Sequence, residues 1–298
     1  MQQVTRKTLG AGINLTCVTT PKFKRAVLRA MLVLPLGGED AALRACLPQV
    51  LRRGTARLND MQAFGTALDE LYGARIEAAV RKEGENLCIG FLSDCIDEAY
   101  APGADGLTAG VIGLLCDLLY DPYLQGGLFC GERGNLIDRI AALKNDPRSW
   151  APRRLNEIMC ENEDYGKSAL GTIEQAERIT SETLYAAYRR ALSEAQVELF
   201  YCGTMMPDEV EARFMATPLA QPREGTLYQP HTIVQVRPVG DVREVVEDAE
   251  VTQGKLSLGF RTGGASLTGG EPAAYWVFQT IYGGSTSAKL FLNVREKK

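Results

Sequence analysis

Residues Arg75–Ser93 read RIEAAVRKEGENLCIGFLS, two strand-like runs with a turn between them. Arg75 to Lys82 and Asn86 to Ser93 are the strands, and Glu83-Gly84-Glu85 leaves room only for a tight reversal, so they pair antiparallel. Upstream, Thr8 to Thr19 and Ala26 to Leu36 form a second antiparallel pair joined by Pro21-Lys22-Phe23-Lys24. Downstream, Val197 to Gly203 is one more buried strand. The intervening segments change to a helical period. Gly37-Gly38-Glu39-Asp40 interrupts the chain, and Asp40 is placed to cap a helix reaching about Arg53. Further helices are expected at Met61–Leu71, Ile112–Tyr120, Phe129–Lys144, Ala151–Met159, Glu174–Ile179, Ser181–Leu192 and Asp208–Met215. Thr180 caps the helix that follows it, with Glu182 favourable in its first turn. The pattern is α+β: a mainly antiparallel sheet with helices packed on one face.

Composition narrows the chemistry. A chain of 298 residues suits one large domain or two smaller ones. With 45% hydrophobic and 23% charged residues it is neither disordered nor a coiled coil. A net charge of −4 gives no footprint for nucleic acid or an anionic membrane. The single histidine, His231, excludes any site that needs two imidazoles from one chain. The eight cysteines form no C-x-x-C pair and sit mostly in apolar runs, so they are expected to be buried thiols. The start, MQQVTRKTLG, has no apolar core of a signal peptide, and Arg29, Asp117 and Gln279 interrupt the longest apolar runs. The expectation is a reduced, cytoplasmic protein with no membrane span and no cofactor.

Pro218, Pro222, Pro230 and Pro238 mark residues 218–243 as a stiff linker after a first domain at 1–217. Residues 244–298 then open a second domain. It has strands at Glu244–Ala249 and Lys255–Arg261, a loop with Gly263, Gly264, Gly269 and Gly270, and a helix at Ala273–Tyr282. A Gly283-Gly284 break and a helical segment over Ser287–Lys298 follow. This is the beginning of a domain, so the second unit is expected to be truncated.

The order of these pieces resembles the insulinase (pitrilysin) family of zinc peptidases, which includes the mitochondrial processing peptidases. Leu9-Gly10-Ala11-Gly12-Ile13 is similar to the family's opening L-x-N-G-L strand. Leu36-Gly37-Gly38 is similar to its approach to the metal helix, and Arg53-Gly54-Thr55 to the K-G-T that closes it. Leu68-Asp69-Glu70-Leu71-Tyr72-Gly73-Ala74 is similar to its L-E-x-x-G-A/G turn. Near the end, Gly283-Gly284-Ser285, Lys289-Leu290-Phe291 and Val294-Arg295-Glu296-Lys297-Lys298 resemble G-x-G-x-S-S-R-L-F-x-x-L-R-E-K. The resemblance spans almost the whole chain and implies a processing-peptidase-like domain present once in full, followed by part of a second copy. It is that of a bacterial member without the zinc motif.

The metal chemistry does not carry over. Counting back from Gly54-Thr55, the H-x-x-E-H positions fall on Ala45, Pro48 and Gln49. Ala45 has no lone pair, Pro48 is no base, and Gln49 offers only a neutral amide. The family's glutamate ligand on a later helix falls on Arg139, a cation. Glu132 keeps an upstream family glutamate and is expected to be solvated on a helix face. Pro48 inside a helix removes the bond to the Arg44 carbonyl, costs about 3 kcal/mol, and is expected to kink it.

Other chemistries are weaker. Gly10-Ala11-Gly12 lacks the third glycine of a dinucleotide fingerprint, since Leu15 stands there, and no P-loop occurs. Nucleophile–base candidates reduce to Ser168 beside Lys167 and Ser287 near Lys289. The acidic runs at 161–164 and 247–250 lack calcium-loop spacing. Three functions follow. The first is a non-catalytic subunit that pairs with a zinc-bearing homologue and helps hold peptide, with Gly283, Gly284, Ser285 and Ser287 as peptide-binding candidates. The second is a standalone scaffold or assembly factor, since some bacterial family members without the motif are associated with elongation factor P modification. The third is a different enzyme built on a Ser–Lys pair.

Overall fold

The computed structural model describes residues 3–38, 40–124, 128–221, 223, 225–231, 240–261 and 271–297. The chain divides into two compact units, Met1–Thr232 with Val251–Ser257, and Ile233–Glu250 with Leu258–Lys298.

The first unit is built on six strands: β1 (Gln3–Gly10), β2 (Ile13–Thr19), β3 (Arg25–Pro35), β4 (Arg75–Glu83), β5 (Asn86–Ile96) and β6 (Gln196–Gly203). Their order across the sheet is β1-β2-β6-β3-β5-β4, and every pairing is antiparallel except β2 with β6. The Arg75–Ser93 hairpin is present and longer than expected, Asn86 facing Glu83 and Asp94 facing Arg75. The stretch Thr8–Thr19 is not one strand but the end of β1 and all of β2, which turn back on each other at Ala11-Gly12. Gly12 has φ +67°, a left-handed conformation open to glycine, so an apolar run that reads as continuous reverses there.

Alternation along the strands separates two faces. Ile13, Leu15, Leu28, Leu32, Leu34, Ile89, Phe91, Val197 and Leu199 enter the main core. Met31, Val33, Ala79 and Cys88 make a small cluster on the opposite face, joined by Leu92 and Tyr228. The helices supply the rest of the main core, and hence lie on one face. They are α1 (Ala41–Leu51), α2 (Met61–Glu70), α3 (Leu107–Tyr120), α4 (Leu128–Ala142), α6 (Ile173–Glu177), α7 (Ser181–Glu194) and α8 (Pro207–Met215), while α5 (Pro147–Met159) buries no residue in it. The α+β expectation is met.

The caps are informative. Thr180 accepts from the Thr183 amide and Thr183 Oγ1 from the Thr180 amide, a full capping box on α7. Asp40 makes no such bond at α1. Its backbone, at φ −88° and ψ 6°, lies outside the extended capping geometry, and its carboxylate is taken by Arg190 at 2.7 Å. Helix α1 runs without interruption through Pro48, and the Arg52 amide bonds the Pro48 carbonyl at 3.1 Å.

The first part of the expected linker is bonded to the first unit. Arg223 donates through Nε to the Leu192 carbonyl at 3.0 Å and through Nη2 to that of Ala195 at 2.6 Å. The Tyr228 amide donates to the Glu194 carbonyl at 2.7 Å, and its hydroxyl to Asn86 Oδ1 at 2.8 Å. Residues 232–239 and 262–270, with the four loop glycines, lie outside the described residues.

In the second unit α9 (Glu271–Tyr282) ends at Gly283-Gly284, and Phe278 stacks on Tyr282 with centroids 5.5 Å apart. The helix expected over Ser287–Lys298 is a short turn, α10 (Lys289–Phe291), followed by a wider turn at Leu292–Glu296. The strands expected at Glu244–Ala249 and Lys255–Arg261 do not form among the described residues. A strand exists only where a neighbour accepts its ladder bonds, and here Val246, Leu256, Leu258 and Phe260 are exposed without one.

Candidate functional site

The residues counted back from Gly54-Thr55 lie on α1, and what fixes that helix's end is visible in the backbone. Thr55 donates to the Leu58 carbonyl at 2.9 Å, Gly54 accepts from the Tyr123 amide at 3.0 Å, and Thr55 bridges Pro122. A Cβ on Gly54 would lie 2.4 Å from the Leu58 carbonyl oxygen, so this tight exit requires glycine.

Helices α1 and α4 face each other across a cleft of about 420 Å³ lined by Ala45, Cys46, Gln49, Glu132, Asn135, Leu136, Asp138 and Arg139. Three of the four positions singled out in the sequence therefore meet in one place, on elements some ninety residues apart. Pro48 is buried and does not line the cleft.

Glu132 is not solvated, contrary to expectation. Only 7% of it is exposed. Arg53, from the α1 exit, donates through Nε to Glu132 Oε1 at 2.6 Å, and Asn135 Nδ2 donates to Oε2 at 3.2 Å. A carboxylate this deep needs such a partner to offset its lost hydration, and the partner is far away in sequence. Beside it, burial pushes the Cys46 thiol up to about 12, helped by the Glu132 charge.

A catalytic zinc site needs three nitrogen, sulfur or oxygen ligands with an open fourth position. These residues do not fit one. Ala45 presents a methyl, Gln49 an amide and Arg139 a cation, Glu132 is held by Arg53, and Cys46 keeps its proton. Among the described residues no three His, Cys, Asp or Glu side chains converge as a metal-binding group.

The Ser–Lys pairs are not assembled as nucleophile and base. Ser168 Oγ accepts from Arg153 at 3.0 Å and from the Leu170 amide at 3.2 Å, while Lys167 pairs with Asp164. Ser287 Oγ lies 3.1 Å from Ser285 Oγ. Gly283 and Gly284 both donate backbone amides to the Gln279 carbonyl, at 2.9 and 3.0 Å, and so close α9. His231 stands apart from the cleft, its Nδ1 3.2 Å from the Gln229 carbonyl. No described helix is long and apolar enough to cross a membrane.

No family model matches the chain. It is 32% identical over 297 residues to a Bacillus subtilis protein named Probable inactive metalloprotease YmfF, covering 98% of this chain and 68% of that one. A conserved protein from Enterococcus faecalis shares its fold at a TM-score of 0.80 and 24% identity, over 99% of this chain and 69% of the other. A peptidase M16 inactive domain from Pseudomonas fluorescens follows at a TM-score of 0.67 and 16% identity, over 100% and 68%. The chain thus spans about two thirds of the length of each of these proteins. From its likeness to the first of them along nearly all its own length, and from the sheet and the two facing helices, this chain belongs to the insulinase (M16) family of metallopeptidases, as a member whose cleft between α1 and α4 holds no imidazole.

Proposed function

We propose that the chain is catalytically inactive and acts as the non-catalytic partner of a zinc-bearing insulinase-like homologue, helping to hold peptide that the homologue cuts. One observation carries this reading: a cleft is built between α1 and α4, and it presents Ala45, Gln49, Arg139 and an arginine-held Glu132 rather than metal ligands. The buried, paired carboxylate at its base adds little stability over apolar packing, which favours a use for the cleft beyond holding the fold. The relative named as an inactive metalloprotease supports the loss of catalysis. Peptide contact is assigned also to Gly283, Gly284, Ser285 and Ser287, where two small glycines leave backbone accessible at the end of α9. The proposed compartment is the cytoplasm, in keeping with eight free cysteines.

The test mixes this chain with a homologue carrying an intact H-x-x-E-H. Sedimentation should give a 1:1 heterodimer, and the pair should cleave peptide with a lower KM than the homologue alone. No complex, together with a different stable partner recovered from cells, would favour the scaffold reading, including a role in elongation factor P modification. Peptide turnover that resists chelators and depends on Ser168 or Ser287 would favour the third.

A further inference from the structure

Along α4, Glu132, Leu136 and Arg139 stand at i, i+4 and i+7 and so share one stripe, facing Ala45 and Gln49 on α1. The charges of this stripe are not equivalent. Glu132 is neutralised by Arg53. Arg139 has no partner among the described residues, and it faces the amide of Gln49 across the cleft. Asp138 also lines the cleft and is also unpaired, but it precedes Arg139 by one residue, about 100° around the helix, and lies exposed at the rim. Below these groups the floor is apolar, made by Ala45, Cys46 and Leu136, all nearly fully buried.

We infer that the cleft is a carboxylate-binding site. The Arg139 guanidinium takes the carboxylate in a two-point contact, and the amide of Gln49 is at hand for a remaining lone pair. The aliphatic stem of the ligand lies on Ala45 and Leu136. Asp138 at the rim repels a second negative charge, so the site takes one carboxylate and not a polyanion. The volume, about 420 Å³, suits one or two residues of a peptide. The carboxylate is that of an acidic side chain or of a chain terminus. This inference rests on the reading that the chain holds peptide, and the two fail separately: pairing is read by sedimentation, carboxylate binding by titration of this chain alone.

The experiment titrates the full chain by calorimetry and by NMR of its arginine Nε–H groups, using three small probes. N-acetylglutamate α-methylamide carries a side-chain carboxylate, N-acetylalanine a terminal one, and N-acetylglutamine α-methylamide neither. At least one acid should bind saturably and at least tenfold more tightly than the neutral amide, and the tighter acid identifies the source. Arg139→Gln should lose that preference, and Arg139→Lys should keep part of it, since ammonium retains the charge without the fork. The far-UV spectrum and thermal midpoint of both variants should match the parent, because Arg139 is exposed. Equal binding of acid and amide, no binding of either acid, or an Arg139→Gln variant that keeps the preference would overturn the inference.

Discussion

Replacing Arg53 by methionine tests the ion pair at the base of the cleft. The substitution keeps the aliphatic stem and removes the guanidinium, leaving Glu132 with Asn135 as its remaining donor, 3.2 Å away. Breaking a fully buried pair costs roughly 3–5 kcal/mol. The Arg53 side chain is one-third exposed, so water recovers part of this, and about 2–3 kcal/mol is expected. For a unit of this size that corresponds to a fall in midpoint of roughly 5–10 °C. The converse variant, Glu132→Gln, leaves behind an arginine that can turn to solvent, and should cost about 1 kcal/mol. The double variant Arg53→Met/Glu132→Leu should recover most of the loss, since apolar replacement of a whole buried pair is close to neutral. Urea titrations followed by Trp150 fluorescence, with Trp276 replaced by phenylalanine, confine the signal to the first unit. An Arg53→Met variant within about 0.5 kcal/mol of the parent, or a double variant no more stable than it, would refute the reasoning.

The purified, dialysed chain should hold no stoichiometric zinc. Introducing Ala45→His, Pro48→Glu, Gln49→His and Arg139→Glu together should restore zinc in metal analysis before any peptidase activity appears, because ligands act only with their supporting shell in place. Burial pushes the thiols of Cys17, Cys88, Cys95 and Cys116 up to about 11 and that of Cys46 to about 12. Exposed Cys130 should therefore be the first to react with a disulfide reagent at pH 8, read by peptide mapping. The same upward shifts make these thiols ionise first in the unfolded chain. Stability is then full below about pH 9 and falls as pH rises toward 11, seen as a lower urea midpoint at pH 10 than at pH 8. Gly54→Ala should cost about 1–3 kcal/mol through its clash with the Leu58 carbonyl, measured by the same urea titration. With Trp276, Phe278 and Ile281 exposed on α9, the chain should self-associate with rising concentration in sedimentation, and a strictly monomeric profile would contradict this.

What the sequence made legible was local. Thr180 reads as a cap because cap and partner amide are three residues apart. The Arg75–Ser93 hairpin is legible because its turn is local, although the ladder extends to Glu83–Asn86 and leaves only Gly84-Glu85 as the turn. Asp40 misreads because its carboxylate is claimed by Arg190, 150 residues away. Glu132 misreads for the same reason, its partner lying 79 residues upstream. The reversal at Gly12 is masked by apolar residues on both sides, and only the glycine's freedom to take a positive φ marks it. Strands in residues 244–261 were inferred from alternation alone, and alternation does not supply a pairing neighbour. At the cleft, counting back from Gly54-Thr55 locates Ala45, Pro48 and Gln49, and the resemblance of the later helix to the family's places Arg139, but no sequence pattern ties Arg53 to Glu132.

The parallel pairing of β2 with β6 has a consequence for how the protein comes into being. Val197 sits beside Ile13, and on its other side beside Leu32, so β6 is the strand that joins β1-β2 to β3-β5-β4. While the chain is still being synthesised there are two separate sheets, each with an open edge, at β2 and at β3. At roughly 5–20 residues per second, β3 waits about 8–35 s after leaving the ribosome's active centre before residue 203 is made. Throughout that interval Leu28, Ala30 and Leu32 have a backbone edge that any other nascent strand can join. Slowing elongation before β6 should therefore divert more of the protein to aggregates.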